Sequence, residues 1–311
     1  MAKSAETQPG TRREQARERA KALQSKRRRR EQTARAFTIG GILLAAAAVV
    51  AVVVFVIVSG IRPAGQGPQN MASNGIVIGQ DFVAERTDSV EVGADPIATS
   101  DRDDVVQIVL YVDYICPGCG AFEAANAATI EQFVQQGIAT VEYHPVSVLD
   151  RYSLGSKYST RAANAAACVA DISPDTFFAY NRLLFDNQPP EGSTGLDDSE
   201  LIALADQAGA ESMQNIETCV TEGTFNSWVQ ASTSLAFSEP IPGTDGETIT
   251  GTPAVFVNGS RYQGSRNDAA GFQAFVLAAA GQNPGGETSA PSEPEPTEPA
   301  EEEPAEEEPA P

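Results

Sequence analysis

Histidine is nearly missing from this chain: one residue in 311, beside four cysteines and one tryptophan. Positive charge is also scarce, with 21 Lys and Arg against 42 Asp and Glu and a formal net charge of −21. Each shortage excludes something. So few cysteines cannot make a disulfide-dense secreted toxin, and they argue against a zinc-finger protein. The acidic excess argues against nucleic-acid binding by the main part of the chain, because phosphate contacts need clustered Lys and Arg. The length admits one large domain or two small ones, at roughly 150 residues each.

The scarce positive charge is gathered at one end. Residues 1–36 hold twelve basic side chains, including the run Arg27 to Arg30, and four acidic ones; the remainder holds nine and 38. At this boundary lie residues 37–58, 22 positions without a charge and mostly Ala, Val, Ile and Leu. As a helix they would span roughly 33 Å, which matches a bilayer core of about 30 Å. Only Arg62 follows closely. The positive-inside rule therefore predicts a cytoplasmic N-terminus and an extracytoplasmic remainder. A cleaved signal peptide has a shorter apolar region and a shorter basic lead, so a single-pass signal anchor at 37–58 is expected. Beside such a span, the basic tail at 1–36 reads as a topology signal against anionic lipid rather than a nucleic-acid patch.

Residues 59–75, rich in Gly, Pro and Asn, read as a flexible linker. Residues 282–311 contain ten Glu, eight Pro and no basic residue, and read as a disordered tail. One domain remains, at 76–281, and it contains all four cysteines.

Within it the order of elements is informative. Residues 105–111 (VVQIVLY) form a short apolar run rich in β-branched side chains, the signal of a buried strand. A helix is expected over 122–136, ended by Gly137, and a second strand over 138–143. Helical stretches follow at 160–169, 174–185, 196–207 and 212–237, the last broken near Gly223, inside an insertion at about 155–238. Then come a strand at 254–257, an Asn258-Gly259 hairpin turn and a final helix capped by Asp268. The plan is α/β.

The chemistry is expected where the first strand meets the first helix. Cys116-Pro117-Gly118-Cys119 puts two cysteines three residues apart, on one face of a helix start. Cys116 falls at the N-cap and Pro117 in the first turn, where its missing N–H costs nothing. Free N–H groups and the helix dipole favour a thiolate at Cys116, which suits it to thiol–disulfide exchange. Cys119, one turn deeper, reads as the resolving sulfur. Zinc would need four ligands, and the other candidates, Cys168, Cys219 and His144, stand isolated in sequence, so no metal is expected. A merely structural bridge across four residues would gain little chain entropy.

A second motif supports the redox reading. In Gly251-Thr252-Pro253-Ala254-Val255-Phe256-Val257-Asn258-Gly259, a proline stands directly before a buried strand. Either a cis Thr252–Pro253 bond or a trans proline at a strand start would account for it. Asp113 reads either as a proton shuttle or second partner of the cysteines, or as a strand-end carboxylate facing water or capping the helix. His144 reads as a packed or surface residue, and Trp228 as core. Cys168 and Cys219 are left over, and in an oxidising compartment two such cysteines pair.

CPGC after an apolar strand, then a helical insertion, GTPAVFVNG and a last helix resemble the DsbA-like branch of the thioredoxin superfamily, in its membrane-anchored form. The resemblance implies a thioredoxin fold with an inserted helical subdomain, Cys116 as the surface nucleophile and Pro253 as a cis-proline facing it. It also implies a structural disulfide within the insertion, no cofactor beyond the redox-active disulfide, and substrates among secreted or surface proteins. The implied reoxidising partner is a DsbB-like or vitamin-K-epoxide-reductase-like membrane protein. Two positions depart from the family's best known pattern: Gly118 stands where His is found, and Leu110 where the strand carries a buried acid. Oxidation of secreted proteins is the expected activity. A reductase or isomerase using the same pair, and a non-catalytic holdase or scaffold, are the alternatives.

Overall fold

The computed structural model describes residues 65–98 and 105–281, with Arg17 and Lys21 as isolated positions. The expected span at 37–58, most of the basic tail and the acidic tail at 282–311 lie outside the described residues. Among the described residues no helix is long and apolar enough to cross a membrane.

Five strands form one sheet: β1 (Ile76–Ile78), β2 (Val106–Val112), β3 (Ala139–Pro145), β4 (Ala254–Val257) and β5 (Ser260–Arg261), in the order β1-β3-β2-β4-β5. β2 and β3 run parallel from Val106↔Ala139 to Val112↔Pro145, and β4 pairs antiparallel with β2 from Ile108↔Val257 to Tyr111↔Ala254. A parallel pair needs a crossover, and helix α1 (Pro117–Gln135) supplies it. β2 is flanked on both edges, which explains its near-continuous apolar sequence. The register places Tyr111 directly opposite Ala254, so the C-terminal end of β2, which leads to the cysteines, lies beside the residue after Pro253.

The insertion between β3 and β4 holds five helices: α2 (Tyr158–Ile172), α3 (Phe177–Asp186), α4 (Asp198–Gln207), α5 (Met213–Glu222) and α6 (Asn226–Ser238). Helix α2 is its centre. Ala162, Ala163, Ala165, Ala166, Ala167 and Ala170 are all fully enclosed. Alanine is the best helix former, and its small side chain lets neighbouring helices approach on every side. Cys168 of α2 is joined to Cys219 of α5 by a disulfide, with Cα atoms 5.9 Å apart and a sequence separation of 51. Helix α4 opens on a capping box, in which Asp197 accepts from the Glu200 N–H and Glu200 accepts from the Asp197 N–H. Helix α7 (Ala269–Ala280) closes the domain, and Asp268 accepts from the Gly271 N–H at 2.9 Å.

One expectation fails in part. Residues 65–75 are no free tether. Met71 is buried in the main core, the Gly67 N–H donates to Val90 O at 2.7 Å, and Asn70 Nδ2 donates to Ala170 O of α2 at 2.9 Å. Gly67 lies against the indole of buried Trp228, where a Cβ would come within 2.7 Å of Cδ1. A Gly- and Pro-rich composition signals freedom of the chain, but it does not exclude a segment whose backbone groups find partners. The short strand β1 follows directly and pairs antiparallel with β3; three residues are too few to show a period.

Candidate active site

Helix α1 begins where the sequence predicts, with Cys116 at its N-cap in extended conformation and Pro117 in the first turn. The two cysteines stand as free thiols in different environments. Cys119 is fully buried, which raises its thiol pKa well above the ordinary value, and the Asp113 N–H points at its sulfur from 3.5 Å. Cys116, expected as a surface nucleophile, is also buried but less completely, with 7% of its surface exposed, and its pKa is lowered to about 5. A hydrogen bond with the Cys119 thiol contributes most to that lowering; burial opposes it, and Thr252 and the N–H groups of Cys119 and Gly118 add to it. The thiol form is served as well: Cys116 Sγ–H donates to the Thr252 carbonyl at 3.3 Å. The Thr252–Pro253 bond is cis. The two motifs, 136 residues apart in sequence, therefore meet at one sulfur.

Asp113 does not face water, and it does not cap α1. It is fully buried and accepts from three donors: the Ile115 N–H at 3.1 Å, Ser159 Oγ at 2.8 Å and the Leu149 N–H at 3.0 Å. Burial outweighs those bonds and raises its pKa to about 6. Of the two readings of this residue, the one beside the cysteines describes its place.

Leu110 is a core residue, and the buried acids sit elsewhere. They are Asp113, Glu142 on β3 and, unforeseen, Glu123. Glu123 lies one helical turn beyond Cys119, and burial raises its pKa to about 8 against the pull of Tyr143 and Arg182. Its Oε1 has no hydrogen-bond partner among the described residues. The sequence held a signal for it, because Glu123 falls on the inward stripe of Cys119, Asn126, Ile130 and Phe133, all buried. Gln188 was also missed. Its Nε2 donates to Cys116 O at 2.9 Å and to Tyr114 O at 3.2 Å, clamping the loop that carries the nucleophile. It comes from the segment after α3, and nothing local in the sequence marks it.

His144 takes no part at the cysteines. It is buried on β3, 3.0 Å from Glu142 Oε1 and stacked on Tyr111 with ring centroids 4.3 Å apart.

A family model described as Thioredoxin matches residues 97–276. The chain belongs to the thioredoxin family. Within it the chain is DsbA-like. It is similar to the solved DsbA of Mycobacterium tuberculosis in its oxidised form, at 28% identity and a TM-score of 0.52, covering 68% of this chain and 95% of that one. The reduced form of that protein matches at 27% identity, a TM-score of 0.52 and the same coverage. Oxidised BdbD of Bacillus subtilis shares the fold, at 20% identity and a TM-score of 0.50, covering 71% of this chain and 100% of that one. A serine/threonine-protein kinase, PknE of Mycobacterium tuberculosis, is 33% identical over 153 residues, 48% of this chain and 26% of that protein. The chain thus spans about a quarter of the length of that curated relative.

Proposed function

We propose that this thioredoxin-family protein is a membrane-tethered, extracytoplasmic thiol–disulfide oxidoreductase that introduces disulfides into secreted or surface proteins. The observation that carries the reading is the asymmetry of the pair: a Cys116 sulfur with its pKa near 5 on a residue that keeps 7% of its surface exposed, backed by a Cys119 thiol fully enclosed and held protonated. In the oxidised enzyme a substrate thiolate attacks Cys116 Sγ. The Cys116–Cys119 bond breaks, and its electron pair leaves on Cys119, which takes up a proton. A second substrate thiolate then attacks the substrate sulfur of the mixed disulfide and displaces Cys116 as a stable thiolate. Two substrate thiols become one disulfide, and the enzyme gains two electrons. A membrane reoxidase of the DsbB-like or vitamin-K-epoxide-reductase-like kind removes them.

Asp113 and Glu123 are the two carboxyl groups near the buried sulfur. Asp113 is the residue we assign to proton exchange at the pair: its carboxyl, with a pKa near 6, interacts electrostatically with Cys116, and its backbone N–H points at the Cys119 sulfur. Acid trapping of the thiol state of Cys116 and Cys119 in growing cells tests the direction. A mostly oxidised pair supports the oxidase, and a mostly reduced pair supports a reductase or isomerase. A pair that never equilibrates with glutathione removes the enzymatic reading altogether.

A further inference from the structure

Gly118 leaves a space that another residue fills. A Cβ placed on Gly118 would lie 2.9 Å from Arg266 Nη1, 3.4 Å from Arg266 Cζ and 3.3 Å from Pro253 Cδ. The guanidinium of Arg266 therefore sits over the two-residue bridge between the cysteines, beside the proline that flanks the nucleophile. The backbone that carries it is held from below. Asn126 Nδ2 on α1 donates to the Arg266 carbonyl at 2.9 Å while also donating to Phe122 O at 2.8 Å. Tyr262 Oη donates to Ser265 O at 3.2 Å in the same loop.

The head group is exposed and has no ion pair among the described residues. Of the other arginines at 65–281, Arg86, Arg161, Arg182 and Arg261 each meet a carboxylate, with Asp175, Asp198, Glu131 and Glu247 as partners, and Arg151 lies over the Tyr152 ring. An arginine on an anchored backbone and without an ion pair, beside a site whose reaction joins it covalently to another polypeptide, is placed to bind that polypeptide. Guanidinium matches a carboxylate in a two-bond, planar fork. Consecutive Cα atoms lie about 3.8 Å apart, so a neighbour two positions from the reacting cysteine spans the same two-residue step that separates Cys116 from Gly118.

We propose that Arg266 is a specificity-determining residue that selects substrate cysteines flanked by an acidic side chain. The proposal rests on the exchange reaction described above. It concerns which thiolate reaches Cys116, and the electron balance is unchanged: two substrate thiols are oxidised to one disulfide as the Cys116–Cys119 disulfide is reduced.

The test uses the full-length oxidised protein in detergent and three peptides, each with one cysteine between Glu, Ala or Lys neighbours. The rate at which each peptide reduces the Cys116–Cys119 pair is followed at low and high salt. We expect a preference for Glu over Lys neighbours of about fivefold at low salt, the size of one exposed charge pair, shrinking as salt rises. Arg266→Gln should bring that ratio to near one, Arg266→Glu should invert it, and Arg266→Lys should keep part of it. The pH midpoint of Cys116 alkylation should stay in place in all three variants. The inference is overturned if the Glu preference survives in Arg266→Gln. It is equally overturned if the ratio changes together with the alkylation midpoint, since the arginine would then act on the thiolate and not on the substrate. If none of the peptides reduces the wild-type pair, the exchange reading itself falls, a result distinct from a lost preference.

Discussion

At the residue scale the site is a division of labour between two sulfurs. In the proposed reaction Cys116 is the sulfur open to exchange because donors and a neighbouring thiol stabilise its anion, and burial keeps Cys119 a thiol until its proton is removed. Cys116→Ala should therefore abolish exchange, whereas Cys119→Ala should accumulate mixed disulfides on Cys116. Mass mapping of the trapped adducts decides it, and adducts on Cys119 in a Cys116→Ala protein would reverse the roles. The lowered pKa has its own signature. In the reduced protein, alkylation of Cys116 by iodoacetamide should rise through about pH 5, where a free cysteine would respond near pH 8.5. A rate that still climbs between pH 7 and 9 would show that the donors around the sulfur do not stabilise its anion.

At the scale of elements, helix α1 carries both the nucleophile and an ionisable side chain on its buried stripe. Glu123 has its pKa raised to about 8, so the folded protein keeps this proton at neutral pH. Below about pH 4.5 both folded and unfolded chains hold the proton, and no cost arises. As pH rises from there to about 8 the unfolded chain ionises first, and stability falls; above about 8 the loss is constant. The span corresponds to on the order of 4–5 kcal/mol. Glu123→Gln keeps the shape and removes the titration, so urea melts across this range should lose that slope. An unchanged slope would mean that Glu123 does not hold its proton on folding. The α2–α5 disulfide is expected to act on stability alone. Replacing Cys168 and Cys219 by Ser together should cost roughly 4 kcal/mol by the loop-entropy model. Thermal melts would show the loss, and exchange per folded molecule should remain near wild type.

At the scale of the whole molecule, chain contacts divide the protein into Met1–Pro63 and Ala64–Pro311. The proposed tether lies in the first and the redox site in the second. Full-length protein should remain in the membrane pellet after a carbonate wash, and a chain beginning at residue 64 should leave it. A membrane-impermeant maleimide added to intact cells after mild reduction should label Cys116. Labelling that requires broken cells would put the domain on the other side of the membrane and remove the secreted substrates from the proposal.

The sequence by itself determined most of the elements and their order, the three-residue β1 excepted. The apolar run of β2 and the strand at Ala254–Val257 stand where local composition puts them, and the break at Gly223 separates α5 from α6. The N-cap place of Cys116 was also legible, because Pro117 and the residue spacing act within one helical turn. Tertiary structure alone decided what surrounds the two sulfurs. Arg266, 148 positions beyond Gly118, fills the space that a side chain at 118 would have taken. Gln188 fixes a carbonyl 72 residues away, and Asp113 is enclosed by Leu149 and Ser159 from segments that follow β3. Composition and periodicity report the conformation of a few neighbouring residues. Burial and charge pairing depend on which distant segments arrive at the same place, and so does the docking of residues 65–75 on the domain.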